Sequence, residues 1–411
     1  MFGTRLITSI CLVTAISLLV PVTAEHPALR LSDGKQSRPF FSSIQAEAYD
    51  LAPTSPCAKA LAQRSVCAAA NKRALEIMTA SQVKAFTVIQ DVRTGALVAF
   101  AATHPSELDV TTPVNPLSLS KLLLAASWWD NGQPDSKFVK SGGTPDSADP
   151  AHSSGLTVHE LLVHSNDSAG RQMALALRKS VGTATVIKDL NRYGLGQPSA
   201  SPKDGTFWGE LDPLWKARLL PAPAFVSLDR NTTDTDWADS LSVGEARMTV
   251  TALHVSRFLQ AVGNRGLMVM PTARTESGAS YAAKELVPRL HRRQRVVRIM
   301  RERTALRLQS AMRDVVQRGT ARKIAKALVS QAWDDGTGWR IGGKTGSGIA
   351  LLPQASQVDG WFAGLLFDPH GSARLTIVTF VRSGGFGGEA AANISAELAR
   401  YIIGRNASVG N

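Results

Sequence analysis

Long apolar runs, acidic residues and cysteines are all scarce in this chain of 411 residues. Only Leu6 to Val22 approaches the length and hydropathy of a bilayer span, so an internal membrane helix is excluded. Arg5 precedes that run, and "VTA" closes it at Ala24, with Val22 and Ala24 at the two positions that matter for cleavage. Residues 1–24 thus read as a secretory signal peptide. An uncleaved anchor is the rival reading; the run is short for a span and contains Thr, Ser and Pro. Acids number 33 against 46 lysines and arginines, a formal net charge of +13. Such a chain is drawn to anionic surfaces, although solubility alone also explains the charge. The arginine-dense stretch 289–303, "RLHRRQRVVRIMRER", has no interleaved aromatics, so nucleic-acid stacking finds no support. It reads as a solvated strand edge and loop.

Of the three cysteines, Cys11 falls in the signal segment. Cys57 and Cys67 remain as an even pair in an oxidising compartment, which allows a disulfide. Ten residues of unbroken helix would hold them roughly 15 Å apart, beyond bridging range. A bond therefore requires a break between them, or Cys57 ahead of the helix, where Pro56 fits. Two buried free thiols are the alternative.

What is present is ordinary globular composition, 44% hydrophobic, without repeats or low-complexity blocks. Residues 25–55 are a polar, Pro/Ser-rich leader, and Ala58 to Met78 reads as helix. Ala85 to Ala102 has two β-rich runs around "VRTG", a hairpin signal. Leu117 to Trp129 reads as a buried helix. Residues 155–182 read as two helices joined near Ser165. Within 243–266, Val255, Phe258, Leu259 and Val262 recur at helical spacing. Residues 302–319 read as an amphipathic helix with Thr304 as N-cap and Gly319 as stop. Three strand-like runs follow, "GWRIGGKTGSG", "DGWFAGLLFD" and "ARLTIVTFVRS", then a last helix from Ala390 to Ile403. A sheet assembled from both ends of the chain, with helices inserted between, is α+β. The expected organisation is signal 1–24, leader and helix 25–80, and one main domain over 81–405.

Three motifs mislead. "GWRIGGKT" matches the phosphate-cradling loop pattern, but Gly346, Ser347 and Gly348 follow it, and they are poor helix openers. His159 and His164 in "HELLVH" are five apart, about 140° around a helix, whereas zinc needs both on one face. "SGGFGGEAAA" lacks the dinucleotide pattern and reads as a turn onto the last helix. No metal and no cofactor is implied.

"SLSK" is different. Ser118 and Lys121 are three apart, so on a helix they share a face and the amine reaches the hydroxyl. A buried lysine with a lowered pKa can take a serine's proton. Leu119, Leu122, Leu123 and Leu124 supply the apolar surroundings. Ser120 points elsewhere. Downstream stand "SND" (Ser165–Asp167) at a helix junction and "KTG" (Lys344–Gly346) on a strand. S-x-x-K, S-D-N and K-T-G are the signature set of serine β-lactamases and penicillin-binding proteins. With "VRTG", "SVGEARMTVTALHVSRFLQAVGNRG", "AMRDVVQRGTA" and "DGWFAG", the chain resembles penicillin-binding protein transpeptidase domains from about Ala85 to Ile403.

The resemblance implies an antiparallel sheet flanked by helices plus an inserted helical subdomain. It implies that Ser118 attacks a D-alanyl-D-alanine-like carbonyl and that Lys121 takes its proton. Ser165 would relay a proton to the leaving amine, and Asp167 would orient Lys121 and the substrate amide. Lys344 and Thr345 would face the substrate carboxylate beside Gly346 and Ser347. The N–H groups of Ser118 and Ser347 would form an oxyanion hole, worth roughly 3 kcal/mol per donor. Asp167 stands where Asn is commoner, and Ser347 where Thr is commoner. The stretch 25–84 is too short for the large N-terminal module of the high-molecular-weight class B proteins. The implied setting is the periplasm or the outer face of the cytoplasmic membrane, with peripheral attraction to membrane or anionic cell wall. Implied partners are peptidoglycan stem peptides and β-lactams, not nucleic acid. A β-lactamase and a non-catalytic β-lactam or cell-wall sensor are the alternative functions.

Overall fold

The computed structural model describes residues 67–108, 110, 112–138, 155–195, 227–245, 247–269, 296–322, 338–349, 358–384 and 388–404. The signal segment, the leader and Cys57 lie outside these residues, as do residues 289–295 of the arginine-dense stretch.

The first strands are β1 (Lys84–Asp91) and β2 (Leu97–Ala102), joined by the expected "VRTG" turn. Gly95 takes a positive φ there, and the Asp91 carboxylate accepts from the Thr94 N–H at 2.7 Å. A small ribbon, β3 (Leu267–Val269) and β4 (Val296–Arg298), stands apart from the main sheet. β5 (Arg340–Ile349), β6 (Val358–Phe367) and β7 (Ala373–Arg382) complete that sheet in the order β2-β1-β7-β6-β5, all antiparallel. N- and C-terminal strands thus lie side by side, as expected for a sheet built from both ends. In β1, every residue after Lys84 is buried, so both faces are covered. That is why these strands read as continuous apolar runs rather than as an alternation.

One face carries α1 (Ala68–Ala80) and, after all the strands, the C-terminal helix Glu389–Ile402. Between β2 and β5 come α2 (Ser120–Asp130), α3 (Val158–His164), α4 (Asp167–Val181), α5 (Thr183–Arg192) and α6 (Asp234–Ala238). A π turn (Asp239–Val243), α7 (Ala252–Gly263) and α8 (Glu302–Gln317) follow, and the C-terminal helix is α9. α7 packs on the other face of the sheet through Val255, Phe258, Leu259 and Val262, all buried. α2 is buried on every side, as its unbroken "LLLAASWW" demands. The remaining inserted helices pack around it and give the helical part its own share of the larger core. The fold is therefore α+β, an antiparallel sheet flanked by helices.

Two expectations need correction. Helix does not run unbroken from Ala58 to Met78: Cys67 is extended, its N–H tied to the Val98 carbonyl of β2 at 2.7 Å, and helix begins at Ala68. Cys67 is disulfide-bonded, as the even pair of cysteines allows. Thr304 does not cap α8. Arg301 is the N-cap, held by its N–H to the Asp130 carboxylate at 3.0 Å, and Thr304 lies buried in the first turn. Gly319 does follow the helix end, its N–H returning to the Asp314 carbonyl.

Candidate active site

The turn that carries Ser118 is set by its neighbours before any chemistry enters. Residues 114–117 are zipped to 244–250. Val114 and Val250 exchange backbone hydrogen bonds, the Asn115 amide donates to the Met248 carbonyl, and the Leu117 N–H donates to the Gly244 carbonyl at 3.1 Å. The Trp361 indole of β6 donates to the Asn115 carbonyl from the other side. Leu117 is held at φ 54°, a left-handed conformation that disfavours a leucine. Glycine makes this possible. At Gly244 (φ 77°) a Cβ would lie 1.9 Å from the Leu117 carbonyl oxygen. At Gly348 of β5 it would lie 2.4 Å from the Leu117 side chain. Leu117–Leu119 then form a single 3-10 turn, and the α-helix starts at Ser120.

Ser118 projects half-exposed from that turn. The Lys121 ammonium Nζ lies 2.9 Å from Ser118 Oγ and 2.6 Å from the Asp167 carboxylate. Ser120 is fully buried, and its hydroxyl meets no partner. The two serines of "SLSK" thus separate cleanly: one touches the lysine and the other does not.

"SND" is a helix junction, and each residue has its own task. Ser165 ends α3 in the left-handed conformation (φ 54°). Asn166 caps α4, its side-chain oxygen accepting from the Ala169 N–H at 2.8 Å. Asp167 opens α4 and reaches Lys121. From β5, the Lys344 Nζ donates to Ser165 Oγ at 2.7 Å and to the Thr345 carbonyl at 2.8 Å. Ser118, Lys121 and Asp167 thus form one hydrogen-bonded group, and Ser165 and Lys344 form a second, whose lysine feels the charges of Lys121 and Asp167. Thr345, Gly346 and Ser347 continue along the same strand.

Burial lowers the pKa of both amines. Lys121 is wholly buried, and that burial pushes its pKa below the ordinary lysine range. The Asp167 charge and hydrogen bond push it back up; Arg171 pushes down, and Glu245 pushes up. The net direction is downward because the Asp167 side chain is 50% exposed, so water screens its pull on a fully enclosed ammonium. Lys344, also wholly buried, lies well below the lysine range, through burial first and then the Lys121 charge, with Asp167 opposing.

Sequence reasoning missed several participants. The Thr345 hydroxyl pairs with Thr320 Oγ1 at 2.7 Å, so Thr320, at the end of the α8 segment, belongs to this corner. Gly170 of α4 lets Lys121 lie flat: a Cβ there would stand 3.4 Å from its Cε and 2.9 Å from the Ser242 Cβ. Glu245 stands at the rim, beside Gly244. The misleading motifs fall away on geometry. Lys344 lies inside a strand whose ladder runs to Ile349, with no helix opening behind it. His159 pairs with Asp314 and His164 with Glu160, so the two imidazoles are engaged separately. Gly388, ahead of α9, is pressed against the Trp361 carbonyl oxygen.

Residues 85–402 match the family model of the penicillin binding protein transpeptidase domain. The chain belongs to this family. The fold is shared with solved transpeptidase-type structures. A peptidoglycan glycosyltransferase from Burkholderia ambifaria is 18% identical, with TM-score 0.58, over 82% of this chain and 95% of that one. Penicillin binding protein 3 from Mycobacterium tuberculosis, complexed with aztreonam, is 19% identical, with TM-score 0.55, over 80% and 75%. Penicillin-binding protein A of M. tuberculosis, as a ceftriaxone acyl-enzyme complex, is 15% identical, with TM-score 0.57, over 80% and 77%. No curated protein matches the chain by sequence. Among the described residues of this transpeptidase domain, no helix is long and apolar enough to cross a membrane.

Proposed function

We propose that this transpeptidase domain is a serine D,D-transpeptidase or carboxypeptidase that acts on peptidoglycan stem peptides through an acyl-enzyme at Ser118. The observation that carries the reading is the 2.9 Å contact between Ser118 Oγ and the fully buried Lys121 amine. Lys121, its pKa lowered by burial, takes the hydroxyl proton in its unprotonated form as Ser118 attacks the carbonyl of the penultimate D-alanine. Ser165 passes a proton to the leaving amine, supplied across its contact with Lys344. Asp167 holds the lysinium that forms. The N–H groups of Ser118 and Ser347 receive the developing oxyanion. Lys344 and Thr345 attract the substrate's terminal carboxylate, with Thr320 fixing the threonine hydroxyl. β-Lactams enter the same attack and stall as stable adducts. The signal-like residues 1–24 support a site outside the cytoplasm, where the net positive charge would favour contact with anionic wall or membrane surfaces.

A fluorescent penicillin followed by a chase tests this. The expected result is a stable adduct mapped to Ser118 by mass spectrometry, absent from Ser118→Ala and retained in Ser120→Ala. Rapid release of hydrolysed drug would make the chain a β-lactamase instead. Neither adduct nor hydrolysis on folded wild-type protein would end the enzymatic reading.

A further inference from the structure

Glu245 is a half-buried carboxylate in the wall of the site, and among the described residues it has neither a hydrogen bond nor an ion pair. Its position is fixed rather than adventitious. The preceding Gly244 accepts from the N–H of Leu117, the residue before the nucleophile, and Met248 and Val250 beyond it are bonded to Asn115 and Val114. Its carboxylate oxygen lies 2.9 Å from the point where a Cβ on Gly348 would stand. The acid therefore rests on the end of β5, just past Ser347. The neighbouring cations are otherwise engaged: Arg171 pairs with Asp239, and Lys121 with Asp167 and Ser118. Desolvation raises the Glu245 pKa first, and the charges of Asp167 and Asp239 add to it; Arg171 and Lys121 oppose. A desolvated anion without a partner is costly, and a ligand that brings a cation relieves it.

Resting on the reading of the site as a D,D-peptidase, we propose that Glu245 is a specificity-determining residue that binds a side-chain ammonium on the donor peptide, on the residue preceding its two terminal D-alanines. The geometry selects that position. β5 is the edge strand of the sheet, so an extended peptide adds alongside it as a further strand. With the terminal carboxylate at Lys344 and Thr345, the peptide passes Ser118 and continues toward Gly348. Thr345 and Gly348 are three residues apart, about 10 Å of extended chain, which brings the third residue from the peptide's C-terminus to the Glu245 carboxylate.

Single-turnover acylation with three donors, acyl-Lys-D-Ala-D-Ala, its norleucine counterpart and its N-ε-acetyl-lysine counterpart, reads this out. Wild type should acylate faster with the lysine donor, and the lysine-to-norleucine rate ratio should fall roughly tenfold in Glu245→Gln. Glu245→Lys should invert the preference toward a donor carrying glutamate at that position. The acetyl-lysine donor should behave like norleucine in both proteins, because length is kept and charge removed. A ratio unchanged by Glu245→Gln overturns the proposal, as does an effect confined to attack on the acyl-enzyme by an added amine. Fluorescent penicillin labelling of Ser118 in the same samples reports folding. Labelling with an unchanged ratio defeats the Glu245 assignment alone, whereas no labelling of wild type defeats the parent reading.

Discussion

The two ends of α2 are both lined with buried polar groups, and they are treated in opposite ways. At the C-terminal end every polar atom is answered. The Asp130 carboxylate accepts from Arg192, the Tyr193 hydroxyl and the Arg301 N–H. Asp189 accepts from Ser127, Asn131 and Arg192. That knot joins α2 to α5 and to the start of α8. At the N-terminal end the accounts are left open: Leu117 is held in a left-handed conformation, Ser120 has no partner, and the pKa of Lys121 is pushed down by burial. One end anchors the helix, and the other holds the strained turn and the buried amine on which the proposed acylation would draw.

Four experiments press on that contrast. Lys121→Met should lower the β-lactam acylation rate most, by about 10²- to 10⁴-fold, with folding intact by thermal melt. A loss of only a fewfold would place the base elsewhere. Gly244→Ala should come next. Its Cβ collides with the Leu117 carbonyl, so acylation should fall on the order of 100-fold through misplacement of Ser118, with about 1–3 kcal/mol of stability lost in urea titration. Asp130→Asn should do the reverse, costing about 1–3 kcal/mol of stability while acylation stays within about threefold of wild type. Equal damage to stability and rate from both variants would erase the distinction between the two ends.

The smallest effect is one of pH. Acylation needs neutral Lys121, so its rate constant should decline as pH falls through the lysine's pKa, which lies below the usual lysine value. Asp167 raises that pKa. Asp167→Asn removes the raising charge, so the acid limb of the acylation profile should move to lower pH. A limb that stays in place or moves upward would mean that Lys121 is not the group titrating.

The elements and the candidate site were readable in the sequence wherever the signal is local. A hairpin needs a turn residue between β runs, and S-x-x-K needs one helical turn. Lys344 and Ser165 were readable only as motif members; nothing in their spacing places a 2.7 Å contact across 179 residues. Thr320, Glu245 and the strained Leu117 had no local signature, because each acquires its role from a segment folded against it from far along the chain. Thr304 shows the same limit in reverse. It has a capping residue's chemistry, yet α8 starts where Asp130 takes the Arg301 N–H. Tertiary contact overrode local preference there.

The glycine-rich half of β5 has one further consequence. An edge strand poor in side chains is a template on which other chains can pair. Leu117, seated over Gly346 and Gly348, covers the glycine face of this one and leaves its hydrogen-bonding edge to an extended ligand. The turn that carries Ser118 therefore also narrows what can reach that strand.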